Sequence, residues 1–331
     1  MTHSSETALV TGANSGLGFE AAVHLAQSGY GRVIITSRTL DKARAARRDL
    51  VERVGRDPFE ELALELNDGK NVNAAVAELG ARGHRVDFAI LNAGLVAGKN
   101  IARTADGLEI TTAASLVGHH ILVTGLLNEG LLAESVKIVI AGSEAARGDV
   151  PMMGLVDVPE FAAAHYGGDR VQAIETIAQA RAPYVYKNMP HYAMVKMFVA
   201  LWSAALARRL PAGMTVNTVS PGSAPARNTM RHQSLLARLV LGGVMGSRFG
   251  HWAGLGAPLS KAAERYLQAA DFPASVNGQF FASKPGKMIG ALVRQNQRHI
   301  LDRENQEAAW KAVEHLSGGA RILTTQLRSA A

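Results

Sequence analysis

The sequence predicts an α/β fold in which a single domain is built on a doubly wound parallel sheet. Short runs of β-branched and apolar residues alternate with helical patterns through the first two-thirds of the chain, and a glycine-rich turn follows the first run. Neither an internal repeat nor a low-complexity linker divides the 331 residues. Strands and helices in alternation imply a parallel sheet covered by helices on both faces. Right-handed crossovers then leave the doubly wound arrangement as the natural topology.

The apolar runs predict six strands, at residues 8–10, 33–36, 62–66, 86–91, 136–141 and 214–219. Helical patterns lie between them, over residues 16–28, 39–54, 70–82, 106–130 and 190–209. After the sixth strand the sequence predicts, in order, a glycine-interrupted lid over 223–257, a helix near 258–270 and a last strand near 278–281. The predicted domain covers residues 1–282. Residues 283–331 form a C-terminal extension, with a basic loop and a helix near 302–316, that packs on the same domain.

Composition and charge exclude several classes of protein. The chain has no cysteine, which removes disulfides, thiolate metal sites and cysteine nucleophiles, and no metal site is predicted. The net charge of +7 comes from two separate segments, 38–56 and 284–331, that lack the interleaved aromatic residues of a nucleic-acid platform. We therefore expect no nucleic-acid partner. The N-terminus is short and polar, and the apolar stretch 235–241 is too short to span a bilayer, so we expect a cytoplasmic protein with no integral membrane segment.

Two motifs carry chemistry. The run Thr11-Gly12-Ala13-Asn14-Ser15-Gly16-Leu17-Gly18 lies between the first strand and the first helix, where glycines let the backbone approach a pyrophosphate and a helix N-terminus supplies amide donors. Tyr192 and Lys196 are four residues apart on a predicted helix, so they share one face and the ammonium favours the phenolate. A phenol with an ordinary pKa of about 10 then exchanges protons near neutral pH. Together the motifs predict a redox enzyme.

These motifs, with three more in the same order, resemble those of the short-chain dehydrogenase/reductase (SDR) family over residues 7–282. The further matches are Asn92-Ala93-Gly94 after the fourth strand, Ser143 after the fifth and Ser220-Pro221-Gly222 after the sixth. Several spaced motifs in order are more specific than any one of them. The resemblance implies a Rossmann-type domain that catalyses oxidoreduction with a nicotinamide cofactor.

The resemblance also implies roles for individual residues. Tyr192 transfers a proton to or from the substrate oxygen, Lys196 holds the nicotinamide ribose and lowers the pKa of Tyr192, and Ser143 hydrogen-bonds the substrate oxygen. The residues implied to bind the cofactor are Gly12, Asn14, Ser15, Gly16, Leu17, Gly18, Ser37, Arg38, Glu65, Leu66, Asn92, Ala93, Gly94, Tyr192, Lys196, Pro221 and Gly222.

The end of the second strand favours NADP(H) as the cofactor. Family members that bind NAD usually carry an acidic residue here, whereas Arg38 offers a bidentate partner for a 2′-phosphate, with Ser37 beside it. The alternative is that Arg38 only begins an exposed basic helix. The family also places an acidic residue after the third strand, opposite the adenine, and the nearest match is within Glu65-Leu66-Asn67-Asp68.

Ser115 departs from the family pattern. It occupies the position at which the family usually has an asparagine that supports a water relay to the lysine. A serine hydroxyl holds a water but lacks the second function of an amide. His119 is a candidate for rerouting the relay, unless His119 and His120 only pack under the sheet. We include Ser115 among the predicted catalytic residues.

The segment before Tyr192 is unusually long, with 48 residues between it and Ser143. Residues 144–187 are predicted to form an insertion on the substrate side, with a helix around 159–181. Retinol dehydrogenases and protochlorophyllide reductases are similar in this enlarged segment and in the tail, although the latter are expected to use a cysteine that this chain lacks. Insertion and lid residues either line a pocket for a bulky lipophilic substrate or pack the lid onto the core: Met152, Met153, Leu155, Phe161, Leu235, Leu236, Val240, Met245, Phe249 and Trp252.

The leading functional prediction is an NADP(H)-dependent ketoreductase, which reduces a ketone or aldehyde or oxidises a secondary alcohol on a bulky apolar substrate. The alternative is an epimerase, or another enzyme without net redox change, that keeps its NADP(H) tightly bound; Ser115 is the feature that hints at it. The retained Ser143, Tyr192 and Lys196 argue against a non-catalytic cofactor-sensing protein. Family members commonly form homo-oligomers, so a homo-oligomer is an open expectation.

Overall fold

The computed structural model describes residues 3–223 and 257–323. These residues form an eight-stranded sheet in the order β3-β2-β1-β4-β5-β6-β7-β8, in which neighbouring strands are parallel except β7 and β8. The strands are β1 (Thr7–Val10), β2 (Arg32–Ser37), β3 (Phe59–Ala63), β4 (Val86–Leu91), β5 (Leu132–Ala141), β6 (Thr215–Val219), β7 (Phe280–Ala282) and β8 (Val293–Arg294). The direction in which the sheet grows reverses between β1 and β4, as in a doubly wound sheet. The predicted fold class is confirmed.

The third strand lies earlier than the sequence predicts. It pairs with β2 from Phe59 to Ala63, whereas the predicted strand was 62–66. The apolar residues after Ala63 are buried beyond the end of the strand, and burial there produced the misleading pattern. Because β3 is an edge strand, it also tolerates two carboxylates, and Arg32 Nε donates to Glu60 at 2.6 Å. The antiparallel strand β8 was not predicted, because two residues carry no periodic signal.

The described helices are α1 (Gly16–Gln27), α2 (Leu40–Val54), α3 (Gly69–Ala81), α4 (Ile110–Asn128), α5 (Val158–Tyr166), α6 (Arg170–Ala178), α7 (Asn188–Ala207), α8 (Leu259–Gln268), α9 (Arg298–Leu301) and α10 (Arg303–Leu316). The single helix predicted over 159–181 is two helices, because the chain turns at Gly167-Gly168 and Asp169 caps the second one.

Helix α4 begins later than predicted and is not regular. The Glu109 side chain accepts a hydrogen bond from Thr112 N, so Glu109 is the N-cap and residues 106–109 precede the helix. Residues 113–117 form a π-helical turn within α4, a distortion that is common at functional sites. Among the described residues α4 is long and apolar enough to cross a membrane, but 89% of its most apolar window is buried inside the protein, as in a core helix.

Two hydrophobic clusters lie on opposite faces of the sheet, as alternating side chains of buried parallel strands require. The C-terminal extension belongs to one of them: Trp310 on α10 is 3% exposed and stacks edge-on against His120 of α4, with centroids 5.1 Å apart. The Arg209 guanidinium lies 4.5 Å from the same indole ring. Helix α10 therefore packs on α7 and against α4.

Candidate active site

The loop between β1 and α1 is shaped by glycine. Gly12 and Gly16 have φ of +67° and +62°, a region that other residues rarely adopt. A Cβ at Gly18 would lie 2.4 Å from the Gly12 oxygen and 2.6 Å from Asn92 Nδ2, so only glycine lets α1 approach the loop this closely. A Cβ at Gly16 would meet no described atom within 4 Å, and the N-terminus of α1 is therefore accessible to an anion. Asn14, Ser15 and Leu17 lie at least partly exposed on this loop.

Thr11 joins this loop to the one after β4. Its Oγ1 accepts a hydrogen bond from Ala93 N at 2.9 Å, and its carbonyl accepts one from Asn92 Nδ2 at 3.0 Å. Because β1 and β4 are neighbours in the sheet, the predicted segments around Gly12 and Gly94 lie together at its carboxyl edge. Thr11 was not among the predicted site residues, since its role depends on which strands pair.

Tyr192, Lys196 and Ser143 meet at the carboxyl end of β5. Lys196 Nζ lies 5.9 Å from the centre of the Tyr192 ring and donates to the Ala141 carbonyl at 2.8 Å. Ser143 follows two residues after Ala141, and its hydroxyl lies near enough to that of Tyr192 to lower the pKa of the phenol. Helix α7 and the end of β5 thus bring together three residues that the sequence separates by up to 53 positions.

Burial changes the ionisation of this group. It lowers the pKa of the Lys196 ammonium from 10.5 to about 8, because the side chain is only 6% exposed. Burial also raises the pKa of the Tyr192 phenol, an effect that the Ser143 hydrogen bond opposes and the nearby charge of Glu144 reinforces. At neutral pH, Tyr192 therefore holds its proton and Lys196 is mostly charged.

Ser115 lies beside Lys196. A Cβ at Gly94 would be 2.9 Å from Ser115 Oγ and 3.8 Å from Lys196 Nζ, which places all three residues around one point. Ser115 Oγ is buried and has no hydrogen-bond partner among the described residues. It belongs to the π-helical turn of α4.

His119 connects Ser115 to the loop between β1 and α1. Its Nε2 is 3.0 Å from Thr11 Oγ1 and its Nδ1 is 3.3 Å from the Ser115 carbonyl. Burial lowers the pKa of His119 to about 3, so the ring is neutral at physiological pH. His120 serves packing instead: its Nδ1 accepts from Trp202 Nε1 at 3.1 Å, and its Nε2 donates to the Ala320 carbonyl at 2.7 Å.

The residues predicted to select the cofactor lie at the ends of β2 and β3. Ser37 is buried, whereas Arg38 is exposed and takes part in no ion pair or hydrogen bond found within 3–223 and 257–323. The Glu65 carboxylate accepts a hydrogen bond from Asn67 N at 3.2 Å, and the buried Leu66 packs under Gly118 of α4. Glu65 therefore bonds to its own loop, and Arg38 is an unengaged charge directly after β2.

The loop after β6 completes the sheet edge. Pro221 is buried, and Gly222 has φ of +82° and donates its N–H to Ser220 Oγ at 3.1 Å. The two ends of the predicted lid meet, since Ala257 N donates to the Ser223 carbonyl at 2.8 Å. Residues 224–256, which hold the rest of the lid, lie outside the described residues.

The insertion contributes both packing and exposed apolar surface. Leu155 and Phe161 are partly buried against the main hydrophobic cluster. Met152 is 87% exposed, and Val185 near the end of the insertion is 75% exposed. Leu155 and Phe161 therefore pack on the core, as one of the two alternatives expects, whereas Met152 does not.

Two buried polar clusters were not predicted from the sequence. Glu144, directly after Ser143, bonds to Ser220, Ser283 and Arg265. His191, directly before Tyr192, lies 3.0 Å from the Glu109 carboxylate, and both residues are fully buried. The partners of Glu144 and His191 come from distant segments, so no local pattern in the sequence marks either cluster. Within the same described ranges, no three His, Asp or Glu side chains are grouped to hold a metal ion.

Comparisons with known proteins agree with this geometry. Residues 6–156 match the family model described as short chain dehydrogenase. Human retinol dehydrogenase 13 is 29% identical over 281 residues, which cover 83% of this chain and 76% of that protein. Protochlorophyllide reductase of Chlamydomonas reinhardtii is 34% identical over 130 residues, covering 39% of this chain and 32% of that one.

Solved structures extend the likeness of fold beyond the matched residues. The crystal structure of actinorhodin polyketide ketoreductase with NADPH superposes with a TM-score of 0.59 at 21% identity, over 85% of this chain and 96% of that one. The ordered motifs, the sheet order and the sequence matches have one common explanation. The chain belongs to the short-chain dehydrogenase/reductase family of oxidoreductases, on the branch that resembles the retinol dehydrogenases.

Proposed function

We propose that the chain is an NADP(H)-dependent oxidoreductase that reduces a ketone or aldehyde, or oxidises a secondary alcohol, on a bulky apolar substrate. The observation that carries the proposal is the convergence of Tyr192, Lys196 and Ser143 at the carboxyl end of β5. A phenol, an ammonium and a hydroxyl around one point are the groups that stabilise and protonate a carbonyl oxygen while the carbonyl carbon accepts hydride.

The residues present fit a dinucleotide with a 2′-phosphate. The accessible N-terminus of α1 above Gly16 suits a pyrophosphate, and the unengaged guanidinium of Arg38 suits the 2′-phosphate. Lys196 is the proposed partner of the nicotinamide ribose. The NADPH complex of the ketoreductase with a similar fold supports this choice. The bound cofactor would supply or accept the hydride.

The chain's own groups would manage the proton. In reduction, Tyr192 donates its proton to the carbonyl oxygen, and Ser143 hydrogen-bonds the same oxygen. The Lys196 ammonium then stabilises the phenolate that remains. Tyr192 holds its proton at neutral pH in the free protein, as the reduction step requires.

Ser115 and His119 would resupply that proton. A buried, unpaired hydroxyl beside Lys196 is the kind of group that holds an internal water, and Ser115 Oγ meets that description within the described part of the chain. Neutral His119 bonds to the Ser115 carbonyl and to Thr11, so it fixes the turn on which Ser115 lies.

The substrate class rests on the apolar character of the substrate side. Met152 belongs to the insertion and is 87% exposed. The sequence of the predicted lid also contains large apolar residues, such as Phe249 and Trp252. The relative named retinol dehydrogenase is named for a lipophilic alcohol. These observations support a ligand bound mainly by burial of apolar area.

Oxidation of NADPH in the presence of a panel of polycyclic and long-chain ketones tests the function. In Tyr192→Phe we expect turnover to fall by about 10²- to 10⁴-fold, the usual worth of a general acid. Tyr166→Phe is the matched control, because Tyr166 bonds to Thr176 within the insertion. Unchanged turnover in Tyr192→Phe would refute the mechanism. Cofactor that co-purifies and never exchanges would favour the epimerase alternative.

Cofactor choice has its own test. Arg38→Ala should raise the KM for NADPH by about 10- to 100-fold, as expected for a lost charge-assisted contact, with little effect on NADH. A parent protein that already prefers NADH would contradict the assignment of Arg38.

A cytoplasmic location and a homo-oligomeric state are also proposed. A chain without cysteine suits the reducing cytoplasm, and fractionation of the source cells tests that location. A homo-oligomer is tested by the molar mass from light scattering.

A further inference from the structure

A buried carboxylate lies next to the proposed proton donor and has no part in the mechanism above. Glu144 follows Ser143 and is 2% exposed. Its oxygens accept from Ser220 Oγ, from Ser283 N at 3.2 Å and Oγ at 2.9 Å, and from Arg265 Nη1 at 3.5 Å. Burial of a carboxylate has a large free-energy cost unless the carboxylate is paired in this way. The hydrogen bonds and the ion pair of Glu144 therefore offset the cost of its burial.

Arg265 joins the same segments from the other side. This α8 residue is 6% exposed, and its Nη1 also donates to the Ser220 carbonyl at 3.1 Å. Its Nη2 donates to Ser283 Oγ at 3.0 Å and to the Gly290 carbonyl at 2.5 Å. The pair thus connects the turns that follow β5, β6 and β7.

We propose that Glu144 and Arg265 are positioning residues for the reaction proposed above, on which this inference rests. Through Ser220 and Ser283 they hold the turn that carries Ser143 against the loop that carries Pro221. The Ser220 hydroxyl that Glu144 holds also accepts from Gly222 N, so one network reaches from Ser143 to the loop with Pro221 and Gly222 that is predicted to bind the cofactor.

The cluster also places a negative charge beside Tyr192. Within residues 3–223 and 257–323, the groups that face Tyr192 are Lys196 on its own helix, Ser143 and Glu144 after β5, and Tyr266 on α8, with Arg265 countering Glu144. After burial itself, the charge of Glu144 raises the pKa of the phenol. The carboxylate therefore favours the protonated phenol that reduction requires.

The first test needs no substrate. The ionisation of Tyr192 is followed by its tyrosinate absorbance, as the difference between each protein and the same protein with Tyr192→Phe, over the pH range in which circular dichroism shows an intact fold. In Glu144→Gln the transition should move to lower pH. Glu160→Gln, an exposed carboxylate on α5, is the matched control and should leave it in place. An unmoved transition in Glu144→Gln would overturn the inference.

The second test separates position from charge. Glu144→Asp keeps the charge but shortens the side chain by one methylene. We expect kcat for ketone reduction to fall by about 10- to 100-fold, as for a misplaced catalytic group, with the KM for NADPH and the Tyr192 transition nearly unchanged. Full kcat in Glu144→Asp would show that position is not what Glu144 provides.

Two controls separate a failure to fold from a failure of the proposed function. If Glu144→Gln alone does not fold because Arg265 is left unpaired, the double variant with Arg265→Met removes both charges. It should still move the transition to lower pH, but by less, because Arg265 counters part of the charge of Glu144 in the parent. If the parent reduces no ketone, the proposed function fails, whereas the Tyr192 titration still decides whether Glu144 acts on Tyr192.

Discussion

Replacement of Lys196 by methionine should make the protein more stable and inactive. Burial lowers the pKa of this ammonium from 10.5 to about 8, which corresponds to about 3 kcal/mol, since each pKa unit is worth about 1.4 kcal/mol. Methionine removes that cost but also the hydrogen bond to the Ala141 carbonyl, worth about 1 kcal/mol. We expect the free energy of unfolding at pH 7 to rise by about 2 kcal/mol in Lys196→Met.

The gain should depend on pH. The folded pKa is below the unfolded one, so the unfolded chain binds more protons between about pH 8 and pH 10.5. The parent protein is therefore stabilised as the pH rises from about 8 to about 10.5. That stabilisation is lost as the pH falls back through about 8. The advantage of Lys196→Met should shrink from pH 7 to pH 10. Urea unfolding at both pH values, followed by circular dichroism, measures the difference.

Lys311→Met is the matched control, because Lys311 is exposed on α10. It should change stability little and equally at both pH values. An advantage of Lys196→Met that is the same at pH 7 and pH 10, or absent at both, would refute the argument that burial depresses the pKa of Lys196.

Three further predictions concern other parts of the molecule. Gly18→Ala puts a Cβ 2.4 Å from the Gly12 oxygen, so it should lower the free energy of unfolding by about 1–3 kcal/mol and abolish the rise in Tm on addition of NADPH; a normal rise would mean that the loop is not the cofactor site. Ser115→Ala removes a buried, unpaired hydroxyl and should leave stability equal or about 1 kcal/mol higher while turnover falls, whereas unchanged turnover would exclude Ser115 from the relay. Trp310→Ala should lower the free energy of unfolding by about 3–5 kcal/mol in urea, and a negligible loss would contradict packing of the extension on the same domain.

The sequence by itself determined the fold class and most of the motif positions. Glycines at 12, 16 and 18, Tyr192 with Lys196, and Ser143 are local signals: each depends on backbone conformation, helical spacing or position after an apolar run. Because parallel strands end at one edge of the sheet, strand assignment alone was enough to expect these residues to meet.

Only the tertiary structure decided which polar groups are buried together. The observed strand β3 lies earlier than the predicted strand, because an edge strand tolerates Glu60 and Glu61. The apolar residues after it are buried in a loop. Glu144 and Arg265 are 121 residues apart, and nothing local in either segment marks the other as its partner. Helical spacing and turn chemistry act over a few residues and can be seen in the sequence. Pairing of buried charges depends on the approach of distant segments, which packing of the whole sheet and its helices sets.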